Sequence, residues 1–503
     1  MRCLLSVVCS LPLFIASCAP IGPNFTPPSW SGMGSWFANT KPRAVISEPR
    51  EAPIDPAWWT VFKDPVLNAL EQRVAEENPD VAVAALRITQ SRAQYDSAIA
   101  AGVPGLNAST SYTRQKASNV GVFANAPGPL GASGASGSTA GGLGSRRINP
   151  FDVFQIGFDA SWEIDFWGKI RRSVESAAAT TQAAEETRRG ILLTNLAEVA
   201  RDYVSLRGVQ TQLRIARENA RTFRDTLNLT KQRAAGGLTT SLDVSNAGAQ
   251  VSATLAQIPA LEQQEAQMIN ALSLLLGLPP NGLRTELQTA HAVPPVPPLV
   301  PIGLPAELAR RRPDVREAEA RLHAATAEIG VAKAAFFPTV KLSGSTGLQA
   351  LRFGRVFDLN ARQYALGPGV TVPLFEAGQL KATLRLTEAR QQEAALLYQQ
   401  TVLRALHEVD NALTAYRSEQ ARRQQLTDAV TESHRALQQA RARYQQGVAD
   451  FLTVLDAQRN ALANELLLAG STTAVSSNLV ALYKALGGGW EIAFPDPKTV
   501  VAR

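Results

Sequence analysis

The sequence predicts a mainly α-helical fold with a smaller β part, built from two internal repeats. Three observations carry this. The first is repetition. Asn78-Pro79-Asp80-Val81 opens a segment that returns at Arg312-Pro313-Asp314-Val315, an offset of 234 that also aligns Arg87 with Arg321 and Pro104 with Pro338. Further on the offset is 210, which sets Gly168 against Gly378 and Gly237 against Gly447. Two copies at such a period describe a duplicated domain and not a solenoid. The second is helical composition. Residues 379–445 contain no Gly and no Pro, and 169–235 contain no Pro and only Gly190 and Gly208. Each stretch is about 100 Å long as one helix. The third is alternation: Phe154, Ile156, Phe158, Ala160, Trp162 and Ile164 interleave with Gln155, Gly157, Asp159, Ser161 and Glu163, the period of a strand.

From the N-terminus, Arg2, an apolar run from Leu4 to Ile15 and then Ala16-Ser17-Cys18 form a secretory signal over residues 1–17. Ile15-Ala16-Ser17-Cys18 has the pattern of a bacterial lipobox, which makes Cys18 the lipidation site and first mature residue. Cys3 and Cys9 are lost with the signal, so no internal disulfide can form. Past the signal no run of 18 apolar residues occurs, and no transmembrane helix is expected. Any membrane crossing falls to β-strands closed into a barrel.

Residues 18–65 form a proline-rich extended segment, and residues 66–290 the first repeat. This repeat has strands at about 106–116 and 152–164 and a helical hairpin at about 169–276. The two strands are separated by a Gly-, Ala- and Ser-rich stretch, Gly121 to Ser145, which is placed on the outer side. Residues 291–305 are a proline-rich linker. Residues 306–490 form the second repeat, with strands at about 339–349 and 363–374 and a hairpin at about 379–486; residues 491–503 are a tail. Each hairpin turns at glycine, Gly236-Gly237 in the first and Gly447 in the second. Four strands cannot close a membrane barrel, which needs at least eight. The barrel must be shared: two chains would supply eight strands, three would supply twelve, and counting does not choose. Tyr112, Trp162, Phe166, Trp167, Tyr364 and Phe375 near strand ends suit an interfacial girdle.

The composition argues against other classes. With 50 basic and 43 acidic residues the formal charge is +7, spread along the chain, so no nucleic-acid partner is expected. His291, His323, His407 and His434 lack metal-ligand spacing. No catalytic residue, metal site or cofactor is expected, and the protein reads as a non-enzyme.

Several motifs resemble the TolC superfamily, in the outer-membrane lipoprotein branch typified by OprM and NodT. Cys18 is followed by Gly22-Pro23-Asn24-Phe25 and Pro27-Pro28. Trp58-Trp59-Thr60-Val61-Phe62-Lys63-Asp64-Pro65 follows, then Leu304-Pro305, Leu308 and Arg311-Arg312-Pro313-Asp314-Val315, and finally Val454-Leu455-Asp456-Ala457-Gln458-Arg459. The resemblance implies a trimeric channel, with a 12-stranded outer-membrane barrel continuous with a periplasmic α-helical barrel. It implies as partners two further copies of the chain, a periplasmic adaptor and an inner-membrane RND-type transporter, with the anchor in outer-membrane lipid. The function implied is passive exit of drugs and other toxic small molecules. Two readings compete: the exit duct of a type I protein or peptide secretion system, and a periplasmic adaptor lipoprotein, which requires one hairpin and no membrane strands.

The resemblance also assigns sites. Leu452, Asp456 and Arg459 share one helix face and take the role of the periplasmic gate. Asp243 and Tyr444 take that of a lock between hairpin tips. The basic partner expected two residues after the turn glycine is Ala449 here, and Arg459 is the candidate substitute.

Overall fold

The structure is a computed structural model that describes residues 19–28, 47–116, 150–303 and 311–493. Cys18, the segment from Gly121 to Ser145, and Leu304, Pro305 and Leu308 lie outside the described residues. In chain order the main elements are β1 (Glu48–Arg50), α1 (Pro65–Glu77), α2 (Pro79–Ala100), β2 (Gly105–Gln115), β3 (Phe151–Ile164), α3 (Lys169–Ala235), α4 (Ser241–Leu275), β4 (Leu299–Pro301), α5 (Pro313–Ala334), β5 (Thr339–Ala350), β6 (Arg362–Thr371), α6 (Gln379–Gln445) and α7 (Phe451–Leu486). They fall into two compact units.

One unit comprises Met1–Phe25, Ala93–Ala178 and Ala324–Gln391. Its centre is a four-stranded sheet in the order β2-β3-β5-β6, antiparallel throughout. The register sorts the side chains by chemistry. One row across the sheet is Leu106, Ala160, Gly344 and Leu366; the neighbouring row, on the opposite face, is Asn107, Asp159, Ser345 and Ala365. The next is Ala108, Phe158, Thr346 and Tyr364, on the first face again. The apolar face is bare: Leu106 is 70 % exposed, Leu366 77 % and Tyr364 87 %. The start of β2, the end of β3, the start of β5 and the end of β6 share one end of the sheet, so every helix connection lies at that end.

The N-terminal segment is tied to the same unit. Ile21 donates its N–H to the Trp167 carbonyl at 3.0 Å, and Arg172 Nη2 reaches Asn24 Oδ1 at 2.7 Å. Gly22 sits at φ +111, and a Cβ there would lie 2.5 Å from Gly330 Cα, so only glycine permits the approach. The Gly22-Pro23-Asn24 motif is therefore a packing requirement. Trp167 stacks on Phe337 at 4.8 Å and donates to the Pro338 carbonyl at 2.7 Å.

The other unit comprises Thr26–Arg92, Ala179–His323 and Gln392–Arg503. Its core joins Trp58, Phe62, Leu67, Leu70, Leu196, Tyr203, Leu272, Leu479 and Tyr483. Trp58 stacks on Tyr483 at 5.2 Å. Asp64 caps α1, accepting from the N–H groups of Val66 and Leu67 and from the Tyr203 hydroxyl at 2.7 Å, which accounts for the aspartate of the Trp-Trp motif. Asn78 does the same for α2, with Pro79 at the first helical position. Arg312 donates to the Ala485 carbonyl at 2.9 Å and pairs with Asp314 and Glu408. Part of the proline-rich connection is strand: β4 pairs with β1 in parallel. Beside it Ser47 is held by Tyr416 and Gln420.

No run of 18 apolar residues follows the signal, yet one helix has the length and mean hydropathy of a membrane span. α7 is long and apolar enough by length and composition. Its apolar side is occupied otherwise, since Val475, Leu479, Val480 and Tyr483 are packed into the core.

Glu71 on α1 is fully enclosed, and among the described residues neither carboxylate oxygen has a hydrogen-bond partner. Burial pushes its pKa well above the ordinary 4.5. A raised folded-state pKa means the ionised form destabilises the fold. That penalty is complete above the folded value and vanishes as the pH falls below the ordinary one. Glu71→Gln is therefore expected to melt at a higher temperature than the native protein at pH 8, with the gap closing as the pH is lowered toward about 4. Calorimetry at both pH values checks this, and a gap independent of pH refutes it.

Candidate functional site

The two hairpin turns and the helix starts that follow them make the candidate site, all within the second unit. Both turns close by the same device. Gly237 and Gly447 lie at φ +71 and +75. Leu238 donates its N–H to the Arg233 carbonyl at 2.8 Å, and Val448 donates to Arg443 at 2.9 Å, the six-to-one bond of a Schellman turn. Gly236 is not in the left-handed region, so the glycine pair of the first turn needs glycine only at its second position.

Each turn is followed by a capped helix. Thr240 and Asp243 form a reciprocal capping box at the start of α4. The Asp243 carboxylate accepts from the Thr239 hydroxyl at 2.5 Å, the Thr240 N–H at 3.1 Å and the Thr240 hydroxyl at 2.9 Å. The Thr239 bond, above all, holds its pKa below the ordinary 3.8. Asp450 caps α7 and accepts from the Thr453 hydroxyl and N–H, which lower its pKa; the Asp243 charge opposes this, so the two carboxylates sense each other.

Asp243 and Tyr444 do not bond to each other here. Asp243 is already engaged by its own helix start, and the Tyr444 hydroxyl is buried without a partner. What holds Tyr444 is packing. Its ring lies 5.9 Å from that of Phe451, in a cluster with Ala247, Ala440, Val454 and Leu455. Arg233 lies 4.3 Å above the ring and donates to the Tyr444 carbonyl at 3.1 Å, tying α3 to α6. Sequence reasoning missed Arg233, although its repeat counterpart, Arg443, was a visible signal.

Leu452, Asp456 and Arg459 do share a face of α7, and it is the exposed one, while Phe451, Val454, Leu455 and Gln458 are buried. Among the described residues Asp456 has no ion pair. Arg459 does not substitute for the basic lock partner within the chain: its Nε donates to Gln250 Oε1 on α4 at 2.6 Å and not to Asp243. The reason is reach, since Gln250 lies two helical turns beyond Asp243.

The chain shares this architecture with known proteins. The family profile described as outer membrane efflux protein matches residues 70–278 and 304–488. The chain belongs to the outer membrane efflux protein family. Its relatives include the pyoverdine export outer membrane protein OpmQ of Pseudomonas putida, 34 % identical over 497 residues, covering 97 % of this chain and 98 % of the relative. Outer membrane protein OprJ of Pseudomonas aeruginosa is 32 % identical, with 95 % and 94 % covered. The solved outer-membrane channel OprN superposes with a TM-score of 0.83 at 32 % identity, covering 94 % of this chain and 99 % of that one. The chain is thus a TolC-like outer-membrane efflux component, and membership of this family disposes of the adaptor reading.

The turns separate two kinds of glycine. Gly447→Ala forces a Cβ into the left-handed region and is expected to cost about 1–2 kcal/mol, whereas Gly236→Ala is expected to be nearly neutral. Denaturant unfolding of the two variants, with hydrogen exchange read at the turns, distinguishes them.

Proposed function

We propose that three copies of this chain form one conduit across the outer membrane and periplasm. An inner-membrane RND-type transporter, joined to it by a periplasmic adaptor, drives small toxic molecules through the bore, and the conduit itself does no chemistry. The observation that carries this reading is the four-stranded sheet, apolar and bare on one face and polar on the other. Its edge strands β2 and β6 run in opposite directions, so β2 of one copy can pair antiparallel with β6 of the next. Three such sheets give a closed barrel of twelve strands, apolar toward lipid and polar toward the lumen. Likeness to the family favours three copies over two.

A lipid on Cys18 fits the same scheme. Ile21, three residues after it in sequence, is anchored beside Trp167 at the helix end of the sheet. That end then faces the periplasm. At the hairpin turns Leu238, Leu242 and Val448 are largely exposed, an apolar collar suited to an adaptor. In a trimer the exposed face of α7 becomes three rings: Leu452 narrows the aperture, Asp456 gathers negative charge that attracts cations, and Arg459 bounds it. The lock between tips is assigned to Asp243 and Tyr444 and requires a rearrangement that frees Asp243 from Thr239 and Thr240.

Deleting the gene is expected to raise sensitivity to some members of a panel of antibiotics, dyes, solvents and metal salts. Unchanged sensitivity together with loss of a secreted polypeptide would favour the type I secretion reading. For the gate, Asp456→Asn is expected to weaken block of single-channel current by multivalent cations in planar bilayers. Asp243→Ala and Tyr444→Phe are each expected to raise conductance; if both leave it unchanged, the lock assignment fails.

A further inference from the structure

The end of the sheet remote from the helices has a composition that the channel reading does not use. The β5–β6 connection contains two short 3-10 turns, Phe353–Arg355 and Leu359–Ala361, and it leaves large apolar side chains in the open. Phe353 is 67 % exposed, Phe357 70 % and Leu359 73 %, while Val356 alone is tucked in at 3 %. Below them Tyr112, Phe154 and Phe353 form a ladder, with ring centres 4.9 Å and 5.6 Å apart. Among the described residues five cations share this rim: Arg114, Lys116, Arg352, Arg355 and Arg362, all exposed. Two acids accompany them, Asp152 and Asp358. Asp152 is shared between the Tyr112 hydroxyl, at 2.9 Å, and Arg114, at 3.9 Å. Arg362 donates to the Leu359 carbonyl at 2.8 Å. Among the described residues the side chains of Lys116, Arg352 and Arg355 have no hydrogen-bond or ion-pair partner.

A solvated loop has no use for an exposed aromatic band, and a lipid-facing band has no use for unpaired cations in hydrocarbon. The two belong together at one place, the plane where acyl chains give way to headgroups. The geometry points to this rim as a binding surface for phosphate-bearing lipid headgroups of the outer leaflet. The aromatics meet the upper acyl chains, and Lys116, Arg352 and Arg355 meet the phosphates. The inference rests on the proposed orientation, in which the helix end of the sheet is periplasmic. Charge complementarity selects this occupant over a neutral lipid, and the exposed aromatic ladder selects a lipid over free phosphate.

The test uses the full chain purified in a neutral detergent, titrated with diphosphoryl lipid A, with its dephosphorylated form and with inorganic phosphate, and read by native mass spectrometry and by the melting midpoint. The native protein is expected to bind diphosphoryl lipid A and to melt higher with it, and to respond to neither control. Replacing Lys116, Arg352 and Arg355 together by Gln is expected to weaken binding about tenfold or more, and Arg355→Gln alone to weaken it less. Equal binding by the native and triply substituted proteins overturns the inference. Equal binding of the dephosphorylated lipid, or a matching response to inorganic phosphate, overturns it also. Single-channel conductance of both proteins is the separate control. Conductance without selective lipid binding sinks this inference alone, and absence of conductance in the native protein sinks the channel reading on which it rests.

Discussion

The constraint on which everything else depends is the hydrogen bonding of backbone in hydrocarbon. A sheet that shows lipid an apolar face cannot leave its edge N–H and C=O groups unpaired there, because each costs several kcal/mol. This chain has such a sheet and too few strands to close it, with β2 and β6 left as open edges. On the proposed reading, oligomerisation is a condition of membrane insertion and not an addition to it. The antiparallel order then puts every helix connection at one end of the sheet, so one end is available for the long hairpins and the other for the aromatic and basic rim.

The two hairpins share one plan and differ at the helix starts. The hairpin turns are nearly interchangeable, each a left-handed glycine with a six-to-one bond and a capped helix after it. The caps differ: Thr240 with Asp243 in the first copy, Asp450 with Thr453 in the second. The face of the following helix differs more. Where α7 carries Leu452, Asp456 and Arg459, α4 carries Leu242, Asn246 and Ala249. α4 also runs through Pro259, whose missing N–H leaves one helical bond unmade, while α7 has Ala469 at the matching place.

The hairpins were readable because helix formation over 67 residues demands a composition free of proline, and α3 and α6 show it plainly. The strand β3 was readable because apolar and polar residues alternate along almost its whole length. Its partners were fainter, since Gly, Ser and Thr make up much of β2 and β5, β6 is interrupted by Gly367, Pro368 and Gly369, and the apolar set is spread over four strands. Turn chemistry was partly readable: glycine marked the turns, but only backbone conformation separates Gly236 from Gly237. The pairing of β4 with β1 was hidden, because a proline-rich stretch gives no ladder signal and the partners lie about 250 residues apart.

By itself, then, the sequence determined the positions of the hairpins and turns and which face of α7 is polar. These follow from local spacing, which is written along the chain. Only the tertiary structure decided which side chains meet. It gave Asp243 to Thr239 and Thr240 and not to Tyr444, gave Arg459 to Gln250, placed Arg233 over the Tyr444 ring, and aligned four weak strands into one amphipathic sheet. Those outcomes depend on distances between segments far apart in the chain, where each polar group takes the nearest partner that packing allows.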